Sequence, residues 1–244
     1  MLKLGRSRAT MLATGLVLAA SASVLVAVTG APAQAHGTVT DPPTRNYGCF
    51  ARWAYQDQSS MRSVDPTCYQ AWQADPNAMY SWMSLFRENV GGNFQAAIPD
   101  GQLCSGGRTQ APRFNAMDTV GDWKTTTVNQ RFTLTLTDEA QHGATYLLIY
   151  VTRDGYDPVS QPLTWADLEL VTKTGRYGPA PKYQAQVDLG NRTGRRVLYT
   201  IWQAAHADQP YFLCSDIVVN GNGTQPTATT VPATSADRPG LHSR

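Results

Sequence analysis

Short segments in which apolar residues alternate with polar ones dominate the second half of this chain. A period of two places one set of side chains on a single face of a β-strand, and in the segment 131–137 that set is Phe132, Leu134 and Leu136. Further strand-like segments, separated by Gly, Asn and Pro, read TYLLIYVT, YQAQVDL, RRVLYTIW and SDIVVN. Short strands without intervening helical periods predict an antiparallel β-sandwich, with GTVTD at 37–41 as its first strand.

The segment 41–101 has a different pattern. It contains PTCYQAWQADPNAMYSWMSLF, which predicts two short helical pieces broken at Asp75-Pro76. Their apolar positions are Cys68, Ala71 and Trp72, followed by Met79, Trp82, Met83 and Phe86. An insertion of roughly 60 residues between the first two strands is too long for a plain sandwich loop, and loops of that size are usually functional.

The first 35 residues have the pattern of a secretory signal peptide. Lys3, Arg6 and Arg8 precede an apolar run, and the stretch ends in APAQA, with small residues at Ala33 and Ala35. A retained membrane anchor is the weaker alternative, because Thr and Ser interrupt the run and no stop-transfer flank follows. Cleavage after Ala35 is therefore expected, and a Thr- and Pro-rich tail or linker at 221–244 leaves 36–220 as the folded domain.

Charge and composition exclude two classes of protein. With 42% hydrophobic residues the chain is not a disordered one. The formal net charge of +2 comes from 20 Lys and Arg against 18 Asp and Glu. Removing the three cations of the leader leaves 17 against 18, a net charge of −1, without a basic cluster. A nucleic-acid partner is therefore not expected.

Export also predicts the oxidation state of the cysteines. The chain has four, an even number, and an oxidising compartment favours two disulfides. Three pairings are open from sequence; we favour Cys49 with Cys68, closing a local loop, and Cys104 with Cys214, joining the chain end to its middle. A zinc site is the alternative, but no C-x-x-C motif or tight Cys/His cluster supports it.

His36 becomes the N-terminal residue if the leader is cleaved after Ala35. Its α-amino nitrogen and one imidazole nitrogen can then chelate the same metal ion, because an α-amine loses its proton near neutral pH. A second imidazole would complete a T-shaped site of three nitrogens, which suits copper better than zinc. His142 and His206 are both candidates for that imidazole, and the chemistry of the residues does not choose between them.

Five segments of the chain resemble the bacterial lytic polysaccharide monooxygenases, copper enzymes that oxidise crystalline chitin or cellulose. In order they read HGTVTDPPTRNYGC, IPDGQLCSGG, AQHGATYLLIYVT, QPLTWADLELV and DQPYFLCSDIVV. The resemblance implies a mainly β fold, an antiparallel immunoglobulin- or fibronectin-like β-sandwich with a long, partly helical insertion between the first strands. It also implies a secreted, monomeric copper monooxygenase domain at 36–220 with one copper ion. An external electron donor and dioxygen or hydrogen peroxide are its implied partners, without nucleic acid or membrane.

The resemblance also assigns roles to individual residues. It makes His36 and His142 the two copper-binding histidines and leaves His206 without a ligand role. Tyr211 takes the axial position beside the copper, with Phe212 as the alternative neighbour. Two further residues would lie near the open copper face: Ala140, otherwise an ordinary turn residue, and Gln209, which would position the oxygen species by hydrogen bonding or else be a solvated loop residue.

Aromatic residues of the insertion are candidates for contact with a sugar ring, because a ring face can stack on the apolar face of a pyranose. The candidates are Tyr47, Trp53, Tyr55, Tyr80 and Trp82, of which Tyr80, Trp82 and Tyr47 are preferred. For each Trp, a place in the core is the alternative. The segments NYGCFARW and DPTCYQAWQADPNAMYSW resemble cellulose-active members, so cellulose is favoured over chitin as the substrate.

Other functions compete with this interpretation. A non-catalytic carbohydrate-binding module would share the secretion, the sandwich and the aromatic residues, but would not need His at the cleavage point. A glycoside hydrolase would need two facing carboxylates, whereas Asp138 and Glu139 are adjacent in a predicted turn. A copper carrier would rely on clustered Met or Cys ligands, and the six Met residues of this chain are scattered.

Overall fold

The computed structural model describes residues 36–221, which contain two β-sheets packed face to face. The predicted leader and nearly all of the predicted tail lie outside the described residues. The first sheet has the order β1–β3–β6, with β1 at Gly37–Asp41, β3 at Arg131–Asp138 and β6 at Lys182–Asp188. The second has the order β2–β8–β7–β4–β5, formed by Thr126–Asn129, Pro210–Asn220, Gly194–Ala204, Ala144–Thr152 and Leu168–Lys173 respectively.

The sheets are antiparallel except for one pair. Strands β2 and β8 run parallel, with Thr126 opposite Ile217, whereas all other paired strands are antiparallel within the described part of the chain. The predicted mainly β sandwich is confirmed. The sequence patterns missed β2, which has only four residues, and β5, an edge strand on which Leu170 is 46% exposed.

The main core lies between the two sheets and explains the alternation in the sequence. Leu134 and Leu136 of β3 are fully buried there, while Thr133, Thr135 and Thr137, which alternate with them, are only partly buried. β6 alternates in the same way, with Tyr183, Ala185 and Val187 facing inward. One apolar face on each strand therefore suffices to build this layer.

The long insertion covers the other face of the second sheet. Residues 42–125 include five α-helices: α1 Arg45–Trp53, α2 Met61–Val64, α3 Pro66–Ala74, α4 Asn77–Tyr80 and α5 Phe94–Ala97. Two short 3-10 helices lie at Gln58–Ser60 and Asn115–Asp118. Side chains of this insertion form a second core with Tyr199, Ile201 and Phe212 of β7 and β8. Because these two strands are covered on both faces, they read as continuous apolar runs rather than as alternating ones.

The helical predictions were only partly correct. The break at Asp75-Pro76 is confirmed between α3 and α4, but α4 ends at Tyr80, so Trp82, Met83 and Phe86 lie beyond it. Helix α1 was not predicted. It is held by long-range contacts, since Arg45 forms a buried ion pair with Asp216 and lies over the ring of Trp123.

Two disulfides join the insertion to itself and to the sandwich. Cys49 of α1 is bonded to Cys68 of α3, and Cys104 is bonded to Cys214 of β8, which is the pairing that we favoured from the sequence. The second bond lies three residues after Tyr211 and ties the insertion to the strand that carries it. Among residues 36–221 there is no helix of sufficient length and apolar character to cross a membrane.

Candidate metal centre

His36 stands at the edge of the first sheet, directly before β1. The next residue, Gly37, pairs with Asp138 of β3, and the carbonyl oxygen of His36 accepts a hydrogen bond of 2.7 Å from the backbone N–H of Glu139. The N–H of Gly37 donates to the carbonyl of Met83 in the insertion, over 3.1 Å. The backbone at His36 is therefore held from both sides.

His142 lies in the turn that joins β3 to β4, beginning at Glu139. The turn is fastened by the fully buried carboxylate of Asp138, which accepts hydrogen bonds from the N–H of Gly143 (3.2 Å) and the hydroxyl of Tyr183 (2.7 Å). Burial and the neighbouring Asp138 raise the pKa of Tyr183 to about 12, so this phenol remains a donor at neutral pH. Asp138 thus contacts the neighbours of both histidines. Its carboxylate binds Gly143, which follows His142, and its backbone pairs with Gly37, which follows His36.

The Nε2 atom of His142 is buried and has no hydrogen-bond partner among the described residues. Buried polar atoms are rarely left in this state, and in a native protein such an atom calls for an unseen partner. Nowhere in residues 36–221 do three or more His, Cys, Asp or Glu side chains converge on a possible metal position. A metal centre in this part of the chain would therefore need ligands other than three such side chains, and the unpartnered imidazole nitrogen of His142 fits a metal ion.

His206, the rival candidate of the sequence analysis, lies against His142. The two ring centroids are 4.0 Å apart and the ring planes differ by 28°. His206 is exposed, in the loop between β7 and β8. Sequence spacing gave no sign of this stack, because the two residues belong to turns that are brought together only by the pairing of β4 with β7.

Tyr211 is fully buried on the inward face of β8. Its ring stacks on Trp202, with centroids 4.4 Å apart, and packs at 5.4 Å against Phe86 of the insertion. Trp202 also contacts Gly37, since a Cβ atom on this glycine would lie 2.7 Å from the indole ring. Tyr211 is therefore separated from the strand of His36 by one aromatic ring.

Phe212, the alternative axial neighbour, points to the other face of β8. Its ring packs with Phe94 and Tyr199 in the core beneath the insertion. Successive residues of a strand face opposite sides, so Tyr211 and Phe212 cannot share one environment. The arrangement favours Tyr211. Burial, with a contribution from the charge of Asp138, raises the pKa of Tyr211 well above its ordinary value.

Gln209 is 4% exposed, so the alternative of a solvated loop residue was wrong. Its Nε2 atom donates a long hydrogen bond of 3.5 Å to Glu88, and its Oε1 atom is buried without a partner in the described part of the chain. Ala140 is exposed at the tip of the turn that carries His142. Its predicted place near an open metal face remains a prediction.

An open groove of about 660 Å³ has His36 among its lining residues. Its wall includes Tyr80, Phe86 and Glu88, together with Arg87 and Arg113. The groove places polar, charged and aromatic groups beside one of the two candidate metal-binding residues, as expected of a ligand site.

The aromatic candidates for sugar contact fall into an exposed group and a buried group. Tyr55 is 88% exposed and Tyr80 is 43% exposed, whereas Trp53 and Trp82 are each 8% exposed. The prediction for Trp82 is therefore not supported, because a buried ring has no free face for a sugar. Trp82 instead supports Tyr47 from the edge, with ring centroids 4.7 Å apart. Tyr47 itself is partly buried.

Comparison with known protein families agrees with this arrangement of residues. A family model described as lytic polysaccharide mono-oxygenase, cellulose-degrading, matches residues 36–217. The chain belongs to this family. The match contains both candidate metal-binding histidines of the lytic polysaccharide mono-oxygenase, seven strands of its sandwich in full and most of β8. The resemblance seen in the sequence is thereby confirmed.

Solved and curated relatives extend the comparison. A crystal structure of a lytic polysaccharide mono-oxygenase from Kitasatospora papulosa is 54% identical, with a TM-score of 0.75, and the match covers 77% of this chain and all of that one. The chitin-binding protein CbpD of Pseudomonas aeruginosa is 30% identical over 204 residues, covering 80% of this chain and 50% of CbpD. A lytic cellulose monooxygenase from Streptomyces ambofaciens is 27% identical over 209 residues, covering 80% of this chain and 56% of the relative. The chain thus spans about half the length of these curated relatives.

Proposed function

We propose that this chain is a secreted, copper-dependent enzyme that breaks glycosidic bonds in crystalline polysaccharide by oxidation. One observation carries the proposal: the buried, unpartnered Nε2 atom of His142 lies on a turn whose backbone is hydrogen-bonded to His36. Membership in a copper-dependent family supports the same assignment.

Three nitrogen atoms would hold the metal. They are the imidazoles of His36 and His142 and the α-amino nitrogen that signal cleavage after Ala35 would create at His36. An α-amine and an imidazole each bind a metal ion in the neutral form, so all three nitrogen atoms can serve as ligands. Bound copper would supply one-electron redox chemistry, with electrons from an external donor and with dioxygen or hydrogen peroxide as the oxidant.

The surrounding side chains would orient and shield this centre. Asp138 and Tyr183 hold the turn of His142 through buried hydrogen bonds. Tyr211 carries its phenolic proton at neutral pH, and burial raises its pKa further, so it would act as a neutral neighbour that excludes water. Gln209 cannot act as a general acid, and its buried amide would bind and position a polar group.

Substrate would dock on the surface around His36, where Tyr80 lines the groove and Tyr55 is exposed nearby on the ring of Phe50. Exposed tyrosines suit a polysaccharide, since each ring can cover the apolar face of a sugar. Cellulose is the favoured substrate, because the matching family is described as cellulose-degrading. Chitin is the second candidate, supported by the relative named as a chitin-binding protein. We expect the enzyme to act as a monomer.

A non-catalytic carbohydrate-binding module is the alternative function. It would use the same exposed tyrosines and would agree with the name of the relative CbpD. It has no use for a buried imidazole nitrogen without a partner, which is why the enzyme is favoured.

The deciding experiment uses protein that begins at His36. With Cu(II) and ascorbate it should release oxidised oligosaccharides from cellulose, detected by mass spectrometry, with chitin tested in parallel. Two matched controls should be inactive: His142→Ala, and a protein with one extra residue before His36, whose α-amine is displaced from the site. Polysaccharide binding without oxidised products would favour the binding module, and full activity of the extended protein would refute the proposed ligand set.

A further inference from the structure

We infer that His206 is a positioning residue for the metal site: its ring packs on His142 and holds that imidazole in the plane required for metal binding. The inference deepens the proposed function and rests on it. The carrying observation is the stack itself, with ring centroids 4.0 Å apart and planes inclined by 28°.

Hydrogen bonds at the neighbouring residue hold the backbone of His142 in place. They do not restrain the rotation of its imidazole ring. The hydrogen bonds of the turn end on the neighbouring Gly143, whose N–H binds Asp138 and Tyr183 and whose carbonyl accepts from Trp202. Rotation about the Cβ–Cγ bond would still turn the ring plane, and a half-turn would put the carbon Cε1 where Nε2 now lies. A ligand that must present one nitrogen in one direction needs a further restraint.

His206 supplies such a restraint. A ring lying nearly parallel at this distance leaves no room for the edge of His142 to turn toward it, so rotation of either ring breaks the stack. Offset stacking of aromatic rings also stabilises the pair directly. His206 itself is exposed, whereas His142 is partly buried.

The loop that carries His206 is itself fastened at both ends. The N–H of Ala205 donates to the carbonyl of Gly143 over 3.2 Å, which connects the residue before His206 to the residue after His142. On the other side, Asp208 accepts hydrogen bonds from the backbone of Asn89 (3.0 Å) and Gly91 (2.7 Å) in the insertion. His206 therefore reaches His142 from a loop that is held in place.

A positioning role for the His206 ring differs from metal binding by a His206 nitrogen. A matched pair of variants distinguishes these two roles. His206→Phe keeps an aromatic ring at the stack but removes both nitrogen atoms, whereas His206→Ala removes the ring. If the ring positions His142, the Phe variant preserves the site and the Ala variant does not. If a nitrogen of His206 binds the metal, both variants lose it.

Two readouts test this in protein that begins at His36. In the metal-free protein, long-range ¹H–¹⁵N NMR of the imidazoles should show one ordered state of the His142 ring, retained in His206→Phe and averaged in His206→Ala. With Cu(II), His206→Ala should bind copper about three- to tenfold more weakly, as expected for the loss of one aromatic stack. Its EPR spectrum should broaden, while His206→Phe stays within about twofold in affinity.

Each other outcome overturns the inference. An Ala variant with unchanged ring order, affinity and EPR spectrum means that the stack has no positioning role. A Phe variant that behaves like the Ala variant assigns the effect to a nitrogen of His206 instead. Absence of Cu(II) binding by the parent protein would contradict the proposed function, whereas the NMR of the metal-free protein would still decide whether His206 orders the ring.

Discussion

The hydroxyl of Tyr183 donates a hydrogen bond of 2.7 Å to the fully buried carboxylate of Asp138. The same carboxylate oxygen accepts from the N–H of Gly143, next to His142, while the backbone of Asp138 pairs with Gly37, next to His36. One residue on β3 therefore links the two candidate metal-binding histidines. The two hydrogen bonds to the Oδ2 atom offset part of the cost of burying this carboxylate.

Replacing Asp138 should disturb stability and metal binding together. Asp138→Ala removes the acceptor of the buried Tyr183 hydroxyl and leaves the Gly143 N–H with Tyr183 alone, so we expect the free energy of unfolding to fall by about 1 to 3 kcal/mol. Copper affinity should also fall, because the turn of His142 loses its anchor. Urea unfolding and copper titration measure the two effects. Tyr183→Phe is the partial control and should have the smaller effect on both; unchanged copper affinity in Asp138→Ala would contradict the linking role.

Gly37 should tolerate no side chain. A Cβ atom there would lie 2.5 Å from the carbonyl oxygen of Thr137 and 2.7 Å from the ring of Trp202. Gly37→Ala should therefore lower stability by about 2 kcal/mol and displace His36, weakening copper binding. Gly175→Ala is a matched control, since a Cβ atom at Gly175 meets nothing within 4 Å. Equal melting temperatures for the two variants would show that the strand shifts to make room.

The exposed and buried aromatic residues should respond differently to truncation. Tyr80→Ala should reduce adsorption to cellulose by several-fold with little change in melting temperature, because one exposed ring contributes about 1 kcal/mol to a stack. Trp82→Ala should lower stability by about 3 kcal/mol, since its ring is buried. Leu170→Ala, exposed on β5 outside the groove, is the control and should leave adsorption unchanged. Unaltered adsorption by Tyr80→Ala would exclude Tyr80 from the docking surface.

Asp118 should make stability depend on pH. Burial raises its pKa to about 6, although its Oδ1 atom accepts a hydrogen bond from Ser105. The folded state therefore binds the proton of Asp118 more tightly than the unfolded state does, so the contribution of Asp118 to stability is greatest below about pH 4 and is lost as pH rises through about 6. Asp118→Asn keeps an acceptor for Ser105 and removes the buried charge, and should raise the free energy of unfolding at pH 7 by about 1 to 3 kcal/mol.

Asp157 is the control for the pH dependence at Asp118, because its contribution to stability changes with pH in the opposite direction. Asp157 is exposed, and hydrogen bonds from Ser160 and Val159 lower its pKa. Its stabilising effect is present at neutral pH and lost on acidification, so Asp157→Asn should slightly reduce stability at pH 7. Chemical unfolding between pH 4 and pH 7 compares the variants. A rise in stability for both, or for neither, would contradict the assignment to burial at Asp118.

Much of the sandwich could be predicted because its signal is local. The alternation in β3 and β6 follows directly from the period of a strand with one buried face, and GTVTD was assigned correctly as β1. Helix α1 could not be predicted in this way. It depends on the ion pair between Arg45 and Asp216, which are separated by 171 residues in the chain.

The sequence by itself determined the β-sandwich, the family, and the candidate status of His36 and His142, because strand periodicity, cleavage pattern and residue chemistry are properties of short segments. The tertiary structure decided that Trp82 is buried, that Gln209 is enclosed, and that His206 stacks on His142. These are contacts between residues far apart in the chain, and they arise only when the two sheets and the insertion pack together. That packing decides whether an aromatic ring is exposed to a ligand, packs against a binding residue or is buried in the core. Residue type alone does not specify which.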